Sequence, residues 1–119
     1  MVCKLRKSIY GLKQSGRNWN AMLHTCLIEN DFVQHPADTC VYTKEMLNEK
    51  VIIWVDDLVI AASKENILKN VKEILTERLK MKDLGEVRHF LGIDFEQTDG
   101  VVKMSQGRYV SKILDRFGM

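Results

Sequence analysis

One proline, seven glycines and three cysteines are all that 119 residues contain of these types. So little Pro and Gly, with no period, excludes a collagen-like or low-complexity chain. Cys3, Cys26 and Cys40 form no CxxC pair, and an odd number cannot all pair internally. With His24, His35 and His89 scattered among them, no spacing matches a zinc site. Free thiols in a reducing compartment are the expectation. No apolar run approaches the roughly 20 residues of a membrane span, and the longest is interrupted by Asp56-Asp57. The first residues, Met1-Val2-Cys3-Lys4-Leu5-Arg6-Lys7, are basic but lead into no apolar segment, so they do not read as a signal peptide. A cytoplasmic or nuclear, non-secreted protein without a membrane partner is expected. Acid is missing from the opening too: Lys4, Arg6, Lys7, Lys13 and Arg17 precede the first carboxylate, Glu29. That stretch suits phosphates or plain solvated surface, and the net charge of +2 does not decide between them.

What is present is ordinary for a folded domain, 45% hydrophobic and 29% charged, at a length that fits one domain. Trp19, Met22, Leu23, Cys26 and Leu27 recur at helical spacing, with Ser15 a candidate N-cap and Asn30 a stop. Thr39–Lys44 reads as a strand, followed by a polar connection at Asn48-Glu49. Val51–Val55 and Leu58–Ala62 are β-branched and apolar, and read as buried strands on either side of Asp56-Asp57. Ser63 precedes a helical stripe of Ile67, Leu68, Val71, Ile74, Leu75 and Leu79, and Gly85 closes that region. His89–Glu96 and Val101–Met104 read as strands joined through Thr98-Asp99-Gly100, where Asp-Gly is a strong hairpin signal. Ser105 then precedes a helix carrying Tyr109, Val110, Ile113, Leu114 and Phe117. Hairpins with helices between them predict an α+β fold, an antiparallel sheet with helices packed on one face, rather than a doubly wound parallel sheet.

Asp56-Asp57 is the most informative pair. Two adjacent carboxylates repel, and partial burial adds to the cost of ionising both. Asp-Asp is also a poor two-residue hairpin turn, which favours Asn-Gly or Asp-Gly. A divalent cation would offset the repulsion, and magnesium takes one or two carboxylates, with water and phosphate oxygens completing its shell. A soluble loop tip is the other reading of the dipeptide alone.

Several blocks resemble the copia-type retrotransposon reverse transcriptases. Lys7-Ser8-Ile9-Tyr10-Gly11-Leu12-Lys13-Gln14-Ser15 with Trp19, then Trp54-Val55-Asp56-Asp57, are similar to that family's blocks. Met81-Lys82-Asp83-Leu84-Gly85, Phe90-Leu91-Gly92-Ile93 and Arg116-Phe117-Gly118-Met119 follow in the same order, so the likeness covers essentially the whole chain. It implies a partial, truncated palm domain over residues 1–119, part of a Pol polyprotein and of an RNA-directed DNA polymerase. Asp56 and Asp57 would be its catalytic, metal-holding residues, with Asp56 the more direct ligand of Mg2+ (or Mn2+). Gly11, Lys13 and Gln14 would lie beside the incoming nucleotide, and Phe90, Leu91 and Gly92 would seat the primer end. The implied partners are a template-primer of RNA or DNA, deoxynucleoside triphosphates and the rest of the polyprotein.

The same positions have plainer readings. Lys13 is equally an exposed lysine, Phe90-Leu91-Gly92 an apolar strand end, and Trp19 a core residue; Lys82 is a weaker candidate for passing a proton to pyrophosphate. Two departures from the family pattern stand out: Trp54 replaces the usual Tyr, and Gly16 the usual Pro. The family also carries a further Asp on a strand upstream of the Gly-Leu-Lys-Gln block. The sequence begins almost at that block, so the isolated chain is expected not to polymerise alone. The alternative is a degenerate, non-catalytic remnant with weak nucleic-acid binding. A phosphoacceptor receiver domain would need alternating strands and helices, which the hairpin-rich order does not supply.

Overall fold

The structure, a computed structural model, describes residues 7, 9–46, 49–54 and 58–119. Cys3, Lys4, Arg6, Ser8, Asn48, Val55, Asp56 and Asp57 lie outside the described residues. The described elements are mixed α+β, with antiparallel strands in two sheets. The chain divides into two compact units, Met1–Asp83 and Leu84–Met119.

In the first unit, helix α1 (Ser15–Glu29) leads into strands β1 (Val33–Gln34), β2 (Val41–Met46), β3 (Glu49–Trp54) and β4 (Val59–Ala62), and then helix α2 (Glu65–Leu79). The four strands form an antiparallel sheet in chain order. Register assigns the faces, because residues directly opposite one another in an antiparallel ladder share a side. Tyr42, Ile53 and Ile60 are aligned across β2, β3 and β4, and the next row on that side is Lys44, Val51 and Ala62. Tyr42, Val51 and Ile53 are buried with Leu23, Cys26 and Leu27 of α1, Phe32, and Ile67, Val71 and Leu75 of α2. Both helices therefore cover this one face, as the patterning predicts. Each fully buried aliphatic side chain contributes about 1.5–3 kcal/mol. The other face carries Val41, Trp54 and Val59 in one row and Thr43, Ile52 and Ala61 in the next, with Ile52 40% exposed.

The helix boundaries differ from the serine-cap expectations. Ser15 is the first helical residue, not the N-cap; its Oγ donates to the Ile9 carbonyl at 2.6 Å. Ser63 does not cap α2 but extends the β3–β4 ladder: its N–H bonds Lys50 O at 3.0 Å and its Oγ accepts from Lys50 N at 3.2 Å. Asn30 does end α1, with its side-chain amide donating to Cys26 O at 2.7 Å and Asp31 following at φ 62°. Lys44 reaches back from β2 to donate to the Asn30 carbonyl at 2.8 Å, supplying a cation where the helix leaves carbonyls unpaired. At the end of α2, Lys80 takes the left-handed conformation, so the helix closes before Gly85. Met22, expected on the apolar stripe of α1, is 51% exposed.

The second unit holds β5 (His89–Phe90), β6 (Ile93–Thr98), β7 (Val101–Ser105) and helix α3 (Gly107–Arg116). The strand expected over 89–96 is broken: Phe90 pairs with Ile93, and Leu91 and Gly92 between them have φ of 50° and 76°. Positive φ at both central residues is the signature of a type I′ hairpin turn. Asp99 and Gly100 form a second such pair, at 48° and 78°, between Thr98 and Val101. Ser105 belongs to β7, and Gln106 occupies the N-cap of α3. Asp94 on β6 lies 2.9 Å from His89 Nδ1 and 3.4 Å from Arg108 Nε, tying β5 and α3 to the same strand.

Candidate active site

A turn built by one glycine leads into α1. The Leu12 N–H donates to Ile9 O at 3.3 Å, with Gly11 at φ 91° in the third position, the place where a type II turn requires positive φ. A Cβ added at Gly11 would meet nothing within 4 Å, so backbone conformation, not crowding, is what asks for glycine there. Tyr10 is fully exposed beside it, at 103%. Lys13 is exposed, and among the described residues it has no ion-pair partner. Gln14 sits at the N-cap with helical φ and ψ of −95° and −9°, and its side chain makes no capping bond. The carboxamide therefore remains available beside an unfilled helix start.

The two strands flanking the acidic pair end in register. Trp54, the last residue of β3, pairs with Val59, the first of β4, on the sheet face away from the helices. Asp56 and Asp57 themselves are outside the described residues. Among the described residues no group of three or more His, Cys, Asp or Glu side chains is placed to hold a metal ion. In the second unit, the Phe90–Ile93 hairpin presents Leu91, 66% exposed, at its tip. The described candidate residues thus fall on the lead-in turn to α1 in the first unit and on the β5–β6 hairpin of the second.

One polar chain has no counterpart in the sequence motifs. Gln34 Nε2 donates to Thr39 O at 2.7 Å and to the Tyr42 hydroxyl at 3.1 Å, and that hydroxyl lies 2.8 Å from His24 Nδ1. Tyr42 is 2% exposed and its oxygen accepts from Gln34, so the buried hydroxyl is bonded on both sides. The His24 and Tyr42 rings meet edge to face, with centroids 5.8 Å apart. Burial pushes the Tyr42 phenol above its usual range, with Cys40 adding to the effect. Burial likewise raises the Cys26 thiol, with Arg78 opposing the rise and Glu29 adding to it. Cys26 and Cys40 are both free thiols, as expected.

The first unit is thus an α+β fold whose helices cover one sheet face and whose strands β3 and β4 end in register at Trp54 and Val59. Comparison with known proteins gives the family. The sequence matches the reverse transcriptase (RNA-dependent DNA polymerase) family over residues 1–119. It is 35% identical over 124 residues to the retrovirus-related Pol polyprotein from transposon TNT 1-94 of Nicotiana tabacum, covering 100% of this chain and 9% of that protein. It is 35% identical over 120 residues to the retrovirus-related Pol polyprotein from transposon RE1 of Arabidopsis thaliana, covering 99% of this chain and 8% of that one. A putative transposon Ty5-1 protein of Saccharomyces cerevisiae is 34% identical over 114 residues, covering 93% of this chain and 37% of its own length. No solved structure matches. The chain belongs to the reverse transcriptase family, in its copia-type retrotransposon branch. It spans less than a tenth of the two plant polyproteins. No helix among the described residues is long and apolar enough to cross a membrane.

Proposed function

We propose that this chain is a palm segment of an RNA-directed DNA polymerase that adds deoxynucleotides to a primer 3′ end, within a longer Pol polyprotein. The observation that carries this reading is the full-length family match, together with the Asp56-Asp57 pair between two strands whose ends, Trp54 and Val59, are in register. The donor set fits a hard divalent ion, because two adjacent carboxylates supply oxygen ligands and have little reason otherwise to sit together. Asp56 and Asp57 would hold magnesium or manganese. When bound, such an ion stabilises charge on the attacking and leaving oxygens of an in-line phosphoryl displacement.

The chain's own residues have positioning roles. Gly11 lets the backbone approach a nucleotide without a Cβ, and the Gln14 carboxamide, unused by the helix, can bond sugar or base. Lys13, exposed and without an ion pair among the described residues, can meet a phosphate as a point charge. Phe90, Leu91 and Gly92 lie at the β5–β6 hairpin turn, with Leu91 exposed at its tip, and would seat the primer end. Trp54 lies in the open-face row with Val41 and Val59, so its indole replaces a phenol on the side of the sheet away from the core. RNA or DNA template-primer and deoxynucleoside triphosphates are the partners this implies.

The test is primer extension on an RNA template by a longer polypeptide that contains this segment. Chelation stops synthesis, and added Mg2+ or Mn2+ restores it. Synthesis indifferent to chelation contradicts the reading.

A further inference from the structure

The turn ahead of α1 is held by hydrogen bonds rather than by packing. Ile9, Tyr10 and Leu12 are 53%, 103% and 49% exposed, so none of them anchors it in the core. The Leu12 N–H reaches Ile9 O at 3.3 Å, beyond the usual range of about 2.7–3.2 Å. The Ser15 N–H donates to Leu12 O at 3.0 Å. The Ser15 hydroxyl then donates to the same Ile9 carbonyl at 2.6 Å, the shortest of the three bonds. That single bond joins positions six apart and closes a ring around Tyr10, Gly11, Leu12, Lys13 and Gln14.

The helix start supplies little else to hold the turn. Gln14 occupies the N-cap without a side-chain capping bond. Gly16 brings backbone freedom, not stiffness, to the first helical turn. With a long backbone bond across Gly11 and no packing, the closed form of the turn depends on the hydroxyl.

We propose that Ser15 is a positioning residue, whose hydroxyl holds the Ile9–Gln14 turn closed so that Gly11, Lys13 and Gln14 meet an incoming deoxynucleoside triphosphate together. The nucleotide role rests on the polymerase reading; the hold of the hydroxyl on the turn does not. The three contacts lie on three different residues inside the ring, so they share one geometry only while the ring is closed. A turn that is open part of the time weakens nucleotide binding by the fraction of time it is closed. Losing one neutral hydrogen bond lowers that fraction about fivefold.

Two measurements test this on Ser15→Ala, Ser15→Thr and Thr25→Ala. The first is solvent exchange of the Leu12 amide proton, by NMR on the chain alone. Ser15→Ala should speed it about fivefold while the amides of Leu23, Cys26 and Leu27 keep their rates. The second is single-nucleotide incorporation by the longer polypeptide. There Ser15→Ala should raise the nucleotide KM about fivefold and leave kcat and the primer KM at wild type, a split that general loss of structure would not give. Ser15→Thr keeps the hydroxyl and should restore both readouts. Thr25→Ala removes a hydroxyl that bonds within α1, to Ala21 O at 2.9 Å, and should change neither. The proposal is overturned if Leu12 exchange in Ser15→Ala stays at wild type, or if exchange rises and the nucleotide KM does not. It is also overturned if Ser15→Thr behaves as Ser15→Ala. A wild-type longer polypeptide that incorporates nothing sinks the polymerase reading and the nucleotide role with it, while the exchange result still decides whether Ser15 holds the turn.

Discussion

Tyr42 is the residue on which a polar chain of the first unit turns. Its hydroxyl joins Gln34 at the sheet edge to His24 on α1, and its ring is buried against the core. Tyr42→Phe keeps the ring but leaves the Gln34 donor and His24 Nδ1 without a partner, so it should destabilise the fold by about 1–3 kcal/mol in urea unfolding at neutral pH. The pH dependence has a definite sign. Burial raises the Tyr42 phenol and the Cys26 thiol, from ordinary values of 10.0 and 9.0, so the unfolded chain loses these protons at lower pH than the folded one. Stability is therefore full below about pH 9 and falls as pH rises beyond it, and Tyr42→Phe should remove part of that alkaline slope. An unchanged slope would contradict the assignment. The sequence shows Tyr42 only as a strand residue. Its partners lie 18 and 8 positions away, and no local pattern connects them.

Among the elements, legibility followed turn chemistry. Asp99-Gly100 announced its hairpin, because both residues tolerate positive φ. Leu91-Gly92 makes the same kind of turn without announcing it, since a leucine at φ 50° is unfavourable by roughly 1–2 kcal/mol. The apolar run His89–Glu96 therefore reads as one strand where the chain makes a tight turn. The three serines misled for the opposite reason. They are good caps in isolation, but Ser63 and Ser105 sit where strand pairing claims their backbone, and Ser15 bonds back to the preceding turn. Strain held at an exposed tip suits a contact surface. Leu91→Asn should relieve it and slow amide exchange across β5 and β6 about fivefold, the equivalent of about 1 kcal/mol. In the longer polypeptide the same change should raise the primer KM, because it removes an apolar side chain from the proposed primer seat. Faster exchange, or an unaffected primer KM, would separate the turn from that role.

For the whole molecule, the α+β class and the helices on one sheet face follow from periodicity, since Val51, Ile53, Ile67, Val71 and Leu75 alternate or recur as a covered sheet demands. The split into two sheets does not, because which strands pair across the chain is not carried by any local pattern. The family is legible from the order of its blocks, and the match over residues 1–119 agrees with it. The proposed function then rests on the acidic pair between β3 and β4. The direct measurement is single-nucleotide incorporation by the longer polypeptide at saturating Mg2+, comparing wild type, Asp56→Asn and Asp38→Asn. Asp38 is an exposed loop residue whose carboxylate accepts from the Cys40 N–H at 2.9 Å, a bond that asparagine keeps. The account predicts incorporation at background for Asp56→Asn and at the wild-type rate for Asp38→Asn. Incorporation by Asp56→Asn at the wild-type rate would contradict it.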